Sequence, residues 1–275
     1  MSLPTSLLPK KTFILGLGHQ RTGTTWVSKH LLRSKRFRRG PLKEYHIWNA
    51  LDVDVMAGHR LSEEDAASDA PSTLRYRMQN EDGFYFDYFK RLYSLRYRVS
   101  ADFTPAYSSL PETRLRAIKD QFQQRQIDVK AVVIIRDPIA RIKSATRFNL
   151  ERGNFDEGIP SGVTNFADAL GHYYQSPHCE LRTSYHQTIE RARRVFGADN
   201  LYVSVFENMF KEKKIRALSK FCGVPAVFDE KKNRINKTLT EVPEETGLED
   251  DIRAHYQEVY DYCFENYPVT RKLWV

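Results

Sequence analysis

The sequence predicts an α/β domain built on a mainly parallel β-sheet with helices on both faces. Between helix-like segments, apolar strand-like runs recur at residues 12–17, 98–103, 130–136 and 201–206. The helix-like segments cover residues 24–33, 72–95 with an interruption near Gly83, 111–125, 138–151, 184–196 and 212–222. Strands that alternate with helices favour a parallel sheet, because each helix provides the crossover between two strands. A ligand of such a sheet is expected across the carboxyl ends of its strands.

A single domain is expected over residues 1–275. That length allows one α/β domain with a substantial core, and no Pro-, Gly- or Ser-rich linker divides the chain. We expect the core at about 11–222 and a C-terminal loop and helix at about 223–275. Within this part, the polar stretch 226–247 predicts a long loop, and a helix from about Glu249 to Asn266 closes the chain.

The first predicted strand runs directly into a glycine-bounded loop. Residues 18–26 read Gly-His-Gln-Arg-Thr-Gly-Thr-Thr-Trp. A helix that starts near Thr24 directs its first amides, and the positive end of its dipole, at a bound anion. The spacing G-x-x-x-x-G fits the nucleotide-binding P-loop, but Thr24 replaces the lysine on which P-loop kinases and NTPases depend. The nearest cation in sequence is Arg21, so we predict a phosphate cradle for a different phosphoanhydride.

A second anion-binding segment follows the third predicted strand. Residues 132–135 are β-branched and predict a buried parallel strand. Pro138 suits the first turn of the next helix, where its missing N–H is not needed. Arg136 ends the strand, and Ser144 lies about two turns into the helix. The guanidinium and the hydroxyl therefore converge on one phosphate group.

These segments resemble the motifs of sulfotransferases that use 3′-phosphoadenosine 5′-phosphosulfate (PAPS). Residues 18–26 resemble the 5′-phosphosulfate loop, and residues 136–144 match the 3′-phosphate motif R-D/N-P-x-x-R-x-x-S. Residues 42–48, Leu-Lys-Glu-Tyr-His-Ile-Trp, resemble the K-E-x-H motif of the glycan-modifying (heparan sulfate type) branch and its bacterial relatives. Residues 102–107 resemble the E/D-x-S/T-P-x-Y element of the family. The resemblance spans most of the chain and implies a P-loop-like sulfotransferase fold.

The resemblance also implies the residues that bind the nucleotide. Arg21 stands where many members have lysine, so we expect it to stabilise the leaving phosphate electrostatically rather than as a proton donor. Trp26 has two interpretations, stacking on adenine or packing in the core. The implied donor is PAPS, and the implied product is adenosine 3′,5′-bisphosphate. The implied nucleotide-binding residues are His19, Gln20, Arg21, Thr22, Gly23, Thr24, Thr25, Trp26, Arg136 and Ser144.

Transfer of a sulfuryl group to a hydroxyl needs a base that takes the acceptor proton. By resemblance this base is Glu44, with Arg21 holding the departing phosphate. Burial against neighbouring aromatic residues would raise the pKa of Glu44, whereas Lys43 would lower it. His46 is the alternative base, because histidine titrates near neutral pH and cytosolic small-molecule sulfotransferases use histidine in this role.

The acceptor is expected to be a hydroxyl compound, in particular a carbohydrate or a glycolipid. Lys43, Asp102, Thr104 and Tyr107 are the implied substrate-binding residues. Asp102 would anchor Arg21 or Lys43, or orient a sugar hydroxyl, and Thr104 and Tyr107 would line the pocket. A plain strand that turns at a proline explains the same residues equally well.

Charge, motifs and cysteine and histidine spacing indicate which ligands, partners and metals to expect. The formal net charge of +8 suits a protein that binds an anionic nucleotide. Without an RNP, zinc-finger or helix-turn-helix signature, no nucleic-acid partner is expected. The basic run 33–39 is either a rim for an acidic glycan or a phospholipid head group, or a solvated helix end. The histidines lack metal-ligand spacing and the three cysteines are widely separated, so we expect reduced thiols and no metal.

Localisation and two competing functions complete the sequence-based expectations. No apolar run approaches the length of a membrane span, and the first residues lack the order of a signal peptide. We therefore expect a cytoplasmic enzyme, and peripheral contact with a membrane stays open.

The competing functions are a P-loop nucleotide kinase or NTPase, and a noncatalytic module that binds a nucleotide or an anionic glycan. Residues 234–238 are expected to fold over the nucleotide.

Overall fold

A four-stranded, all-parallel sheet forms the centre of the computed structural model, which describes residues 10–228 and 245–274. The strand order is β2-β1-β3-β4, and each neighbouring pair is parallel. The four predicted strands are confirmed with small changes in their ends. They are β1 (Lys11–Gly16), β2 (Val99–Asp102), β3 (Ile127–Ile135) and β4 (Leu201–Val205).

Helices cover both faces of this sheet. In the described ranges the α-helices are α1 (Thr24–Leu32), α2 (Trp48–Asp52), α3 (Glu63–Ala66), α4 (Ala70–Asn80), α5 (Phe84–Leu92), α6 (Glu112–Gln124), α7 (Pro138–Arg152), α8 (Phe166–Tyr173), α9 (Pro177–Thr183), α10 (Tyr185–Phe196), α11 (Glu212–Cys222), α12 (Glu249–His255) and α13 (Gln257–Asn266). Short 3₁₀ helices cover Asp54–His59, Pro105–Ser109, Ala198–Asn200, Phe206–Asn208 and Pro268–Lys272.

The central strands β1 and β3 are apolar over their carboxyl-terminal parts, where both of their faces are buried. Phe13 and Leu15 of β1 belong to one apolar cluster, which also holds buried residues of α5, α6 and α10. Ile14 points to the opposite face and joins a second cluster with buried residues of α1 and α11. Side chains of a strand alternate between the two faces of a sheet, so this alternation fixes the register of β1.

The strand order creates a crevice between the ends of β1 and β3. Within the sheet, β1 lies between β2 and β3, so the next strand in the chain, β2, pairs with one edge of β1 and β3 pairs with the other. The carboxyl ends of β1 and β3 are therefore neighbours, and ligands of open parallel sheets bind at such a switch in strand order. His19 N–H donates to the Ile134 carbonyl (3.2 Å), and Ile134 N–H donates to the Gly18 carbonyl (3.1 Å). The loop after β1 is thereby held against β3.

The helices differ from the sequence prediction at a few places. Gly83 separates α4 from α5, as predicted, and adopts a left-handed φ of 71° before the first residue of α5. The C-terminal helix is not continuous, because it is interrupted at Tyr256. The short helices α2, α3, α8 and α9 were not predicted, because segments of four to eight residues carry little periodic signal. Most of the predicted loop at 226–247, including residues 234–238, lies outside the described residues.

Candidate active site

A cleft of about 720 Å³ lies beside the loops that follow β1 and β3. It is lined by the start of α1, by α7, and by Asn154 and Glu157. Of the residues predicted to bind nucleotide or acceptor, those that line the cleft are Gln20, Arg21, Gly23, Thr24, Thr25, Lys43, Glu44, His46, Arg136 and Ser144. The remaining predicted residues, all buried behind the cleft wall, are His19, Thr22, Trp26, Asp102, Thr104 and Tyr107.

The loop between β1 and α1 is shaped by internal hydrogen bonds. The Thr22 hydroxyl donates to the His19 carbonyl (2.6 Å) and accepts from the His19 N–H (3.1 Å). Gly23 precedes α1 with a φ of 93°, in the left-handed region that favours glycine. The first amides of a helix have no partner within the helix, and here Thr24 and Thr25 border the cleft. The start of α1 is therefore built to bind an anion.

Two guanidinium groups and one hydroxyl meet beside this helix start. Arg21 Nε donates to Ser144 Oγ (3.0 Å), and Arg136 Nη1 donates to the Arg21 carbonyl (3.0 Å). The Arg21 guanidinium lies 4.8 Å from the centre of the Phe148 ring, and that of Arg136 lies 4.7 Å from the centre of the Phe206 ring. Contact with the aromatic rings holds the guanidinium planes in place. Although 123 residues separate them in sequence, Arg21 and Ser144 thus belong to one site.

Burial at this site favours the binding of an anion. Burial lowers the pKa of the Arg136 guanidinium, and the negative charge of Glu207 acts in the opposite direction. A partly desolvated cation gains stability when an anion binds next to it. The donor set of helix amides, guanidinium groups and hydroxyls is therefore suited to phosphate and sulfate oxygens.

Glu44 lies between two positively charged or protonatable groups. Lys43 Nζ donates to Glu44 Oε1, and His46 Nε2 lies 3.4 Å from Glu44 Oε2. Burial raises the pKa of Glu44, but the hydrogen bonds from His46 and Lys43 and the charge of Lys43 outweigh it and lower the pKa to about 2. Both expected effects are present, burial raising the pKa of Glu44 and Lys43 lowering it, and the added hydrogen bond from His46 makes the lowering prevail. Glu44 is fully ionised at neutral pH in this arrangement.

His46 is paired with a second imidazole. Its ring stacks on that of His59, with centroids 4.2 Å apart and an interplanar angle of 18°. Burial lowers the pKa of His59 to about 4, and the neighbouring His46 contributes to the shift. His46 Nδ1 is buried and has no hydrogen-bond partner among the described residues, while Nε2 faces Glu44. The two candidate bases therefore form one hydrogen-bonded unit.

Three of the nucleotide-binding predictions fall on side chains that do not reach the cleft. The His19 ring is fully buried, with hydrogen bonds to the Ile134 carbonyl (3.3 Å) and to Thr188 Oγ1 (3.2 Å), and burial lowers its pKa to about 3. The Thr22 hydroxyl is used within the loop. Trp26 is 5% exposed and stacks on His30 in the second apolar cluster. For Trp26 the structure therefore favours the core interpretation over adenine stacking.

For residues 102–107 the structure favours the second interpretation, a strand that turns at a proline. The Asp102 carboxylate accepts hydrogen bonds from neighbouring hydroxyls, including those of Thr104 and Tyr107. All three residues are at most 1% exposed, and the cleft is bordered instead by Pro105 and Ala106. The side chains predicted to line the pocket are thus part of its support.

Comparison with known proteins identifies the family. Residues 9–244 match the family described as Sulfotransferase domain. The chain belongs to the sulfotransferase family. No curated protein matches the sequence.

Solved structures agree with this family at the level of the fold. A sulfotransferase from Alicyclobacillus acidocaldarius is 17% identical, covers 92% of this chain and 93% of its own, and has a TM-score of 0.59. The sulfotransferase domain from the curacin biosynthetic pathway is 13% identical, covers 91% of this chain and 98% of its own, and has a TM-score of 0.52. The single parallel α/β architecture of this sulfotransferase is therefore shared with enzymes of very different sequence.

The sulfotransferase cleft also contains residues that the sequence analysis missed. Phe148 and Arg152 follow Ser144 on α7 at intervals of four residues, so helical periodicity places all three on one face. This spacing was available in the sequence. Glu157 and Arg182 were not detectable, because they come from separate segments and meet only in the fold. Arg182 Nη2 donates to Glu157 Oε1 (2.7 Å), and a second bond joins Arg182 Nη1 to Glu157 Oε2.

Two further features concern metals and membranes. Within the described residues, no group of three or more histidine, cysteine or carboxylate side chains is placed to hold a metal ion. Across residues 10–228 and 245–274, no helix combines the length and apolar character required to cross a bilayer.

Proposed function

We propose that this sulfotransferase moves the sulfuryl group of PAPS to a hydroxyl group of its acceptor. The observation that carries the proposal is the joining of the α1 start to Arg136 and Ser144 through Arg21. This arrangement supplies two sets of anion ligands at one end of the cleft. A donor with a 5′-phosphosulfate and a 3′-phosphate matches two such sets, whereas the position of the P-loop lysine is occupied by Thr24.

The reaction requires a base, and the contacts support Glu44 in that role. The acceptor oxygen bonds to sulfur as the bond from sulfur to the bridging phosphate oxygen breaks, and the acceptor proton passes to the base. One nitrogen of His46 is buried and the other faces Glu44, so neither is directed at an acceptor. Glu44 borders the cleft and takes the proton, and His46 orients its carboxylate.

Arg21 and Lys43 stabilise negative charge in this mechanism. Arg21 and the first amides of α1 stabilise the charge that develops on the departing phosphate. Lys43 lines the same cleft and contacts Glu44. Movement of Lys43 Nζ toward a bound sulfuryl group would remove one of the contacts that lower the pKa of Glu44. Glu44 would then become a stronger base when the donor is in place.

The acceptor is proposed to be a carbohydrate or a glycolipid. The cleft is also lined by Asn154, Glu157 and Arg182, which offer both donors and acceptors of hydrogen bonds. Glu157 is held by Arg182 and by Asn149 Nδ2, which donates to Glu157 Oε2 (3.0 Å). Fixed polar side chains of both kinds are suited to the hydroxyl groups of a sugar.

Calorimetric titration with adenosine 3′,5′-bisphosphate tests the proposed donor. The bisphosphate should bind without Mg²⁺, and Arg136→Ala should weaken binding by about 1.5–3 kcal/mol, the contribution of a charged hydrogen bond. Arg194→Ala is the control, because Arg194 donates to Glu112 (2.7 Å) and is not among the described residues that line the cleft. Binding of ATP only with Mg²⁺, and no binding of the bisphosphate, would contradict the proposal and indicate a kinase or NTPase.

A further inference from the structure

A fully buried carboxylate lies behind the cleft and takes no direct part in the proposed transfer. Asp102, at the end of β2, is 0% exposed. Oδ1 accepts from Thr104 Oγ1 (2.6 Å), and Oδ2 accepts from the hydroxyls of Tyr107 (2.9 Å) and Tyr85 (3.0 Å). Burying a carboxylate among hydroxyls rather than cations costs free energy. The groups that these hydroxyls contact in turn indicate the role of Asp102.

Two of these hydroxyls continue to the segment that contains Glu44. Thr104 Oγ1 accepts from the Tyr45 N–H (2.9 Å), and the Tyr107 hydroxyl accepts from the Ile47 N–H (3.3 Å). Each hydroxyl has one proton to donate and lone pairs with which to accept. Because each hydroxyl donates its one hydrogen bond to the carboxylate of Asp102, its lone pairs are left to accept from the amides. The acidic side chain therefore sets the direction of both hydrogen bonds.

The amides held in this way flank an unusual backbone position. His46 has a φ of 56°, in the left-handed region that non-glycine residues enter at a cost of about 1 kcal/mol. Tyr45 and Ile47 on either side are each anchored by one of the two hydroxyls. This conformation brings His46 Nε2 to the Glu44 carboxylate at the cleft.

We propose that Asp102 is a positioning residue for the transfer reaction. Its carboxylate orients the hydroxyls of Thr104 and Tyr107, which hold residues 45–47 so that His46 contacts the Glu44 carboxylate at the cleft. The catalytic part of this inference rests on the proposed function, whereas the anchoring of residues 45–47 does not.

Two tyrosines provide a matched pair for the test. Tyr85 and Tyr107 are each 1% exposed, and each donates to Asp102 Oδ2. Only Tyr107 also accepts from the Ile47 N–H. Tyr85→Phe and Tyr107→Phe therefore each remove one hydroxyl that donates to Asp102, but only Tyr107→Phe also removes an anchor of residues 45–47.

Amide hydrogen exchange gives the first readout, measured on the full chain by mass spectrometry or NMR. Tyr107→Phe should speed exchange of the Ile47 amide by about tenfold, equivalent to about 1.4 kcal/mol, while Tyr85→Phe should leave it within about twofold. Asp102→Asn should speed exchange at both Tyr45 and Ile47. Equal exchange at Ile47 in the two phenylalanine variants would overturn the proposal, even if the asparagine variant does not fold.

Release of sulfate from PAPS, with water as the acceptor, gives the second readout. Tyr107→Phe should lower the turnover number about tenfold or more, with the KM for PAPS and the affinity for the bisphosphate within about twofold of wild type. Tyr85→Phe should keep most of the turnover. Loss of turnover to the same extent in both variants would overturn the positioning role. If the wild-type chain binds no bisphosphate, the proposed function fails, and the exchange comparison still decides whether Asp102 anchors residues 45–47.

Discussion

The ionisation of individual carboxylates at this site depends on what surrounds each one. At Glu44, burial is outweighed by contacts with His46 and Lys43, and the pKa falls to about 2. At Asp102, burial prevails over hydrogen bonds from neutral hydroxyls, and the pKa rises to about 6. Cations lower a carboxylate pKa more strongly than hydroxyls do. Two acidic side chains on neighbouring segments therefore ionise in different pH ranges.

Replacing Glu44 by glutamine tests the base. Glu44→Gln should lower turnover by a factor of about 10²–10⁴, the usual contribution of a general base. Binding of the bisphosphate should change by less than about twofold, because no contact joins Glu44 to Arg136 or Ser144 in the described structure. Turnover is measured as sulfate release from PAPS, and affinity by calorimetry. If His46→Asn abolishes turnover while Glu44→Gln keeps it, the base is His46.

The raised pKa of Asp102 predicts a pH dependence of stability. Tyr85 on α5, Tyr107, and Tyr45 and His46 on the anchored segment face this carboxylate. A folded pKa of about 6 against 3.8 for the exposed group means that the folded state binds the proton more tightly. The stability from this group is present below about pH 4 and is lost as the pH rises to about 6.

Comparison with Asp102→Asn isolates this effect, because asparagine does not titrate. The free energy of unfolding of wild type minus that of the variant should fall by about 3 kcal/mol in total between about pH 3 and about pH 7, at about 1.36 kcal/mol for each unit of pKa shift. Above that range it should be constant. Urea unfolding at a series of pH values measures the difference, and a difference independent of pH would show that the pKa of Asp102 is not raised.

At the scale of secondary structure elements, α7 carries the second half of the anion site and is itself held by the C-terminal helices. The Asp137 side chain caps α7 by accepting from the Ala140 N–H (2.7 Å) and also accepts from the Tyr260 hydroxyl (3.0 Å) of α13. Lys143 of α7 contacts Glu249 of α12. Arg136 immediately precedes this cap. The C-terminal helices therefore help to hold the nucleotide-binding helix in place.

The cap of α7 can be tested against another aspartate cap. Asp137→Ala and Asp69→Ala each remove an N-cap, and the Asp69 side chain accepts from the Ser72 N–H (2.6 Å) at the start of α4. Both variants should lose about 1 kcal/mol or more of unfolding free energy. Only Asp137→Ala should also weaken bisphosphate binding, by about tenfold or about 1.4 kcal/mol. Equal affinity in the two variants would contradict the link between this cap and the anion site.

At the scale of the whole molecule, the order β2-β1-β3-β4 assembles the site. Loops after β1 and β3 are far apart in sequence, and the adjacency of these two strands makes them neighbours. The segment after β2 lies on the other side of β1 and supports Glu44 through Thr104 and Tyr107. The segments that follow β1, β2 and β3 thus all contribute to the cleft or to its support. The net charge of +8 suits a cleft that attracts an anionic donor.

The sequence by itself determined the features that depend on local physics. The buried strand at 132–135, the glycine-bounded loop, and the proline at the start of α7 predicted the parallel sheet, the anion-binding loop and the convergence of Arg136 and Ser144. These features follow from backbone conformation and the alternation of strands and helices, which neighbouring residues dictate.

Only the tertiary structure determined the roles of side chains whose contacts are distant in sequence. Thr104 and Tyr45 are 59 residues apart, and their contact showed that residues 102–107 support the cleft instead of lining it. The burial of Trp26, the Glu157–Arg182 pair and the low pKa of Glu44 likewise depend on several segments at once. Burial and electrostatic interaction act through space, so their balance is set only when the chain has folded.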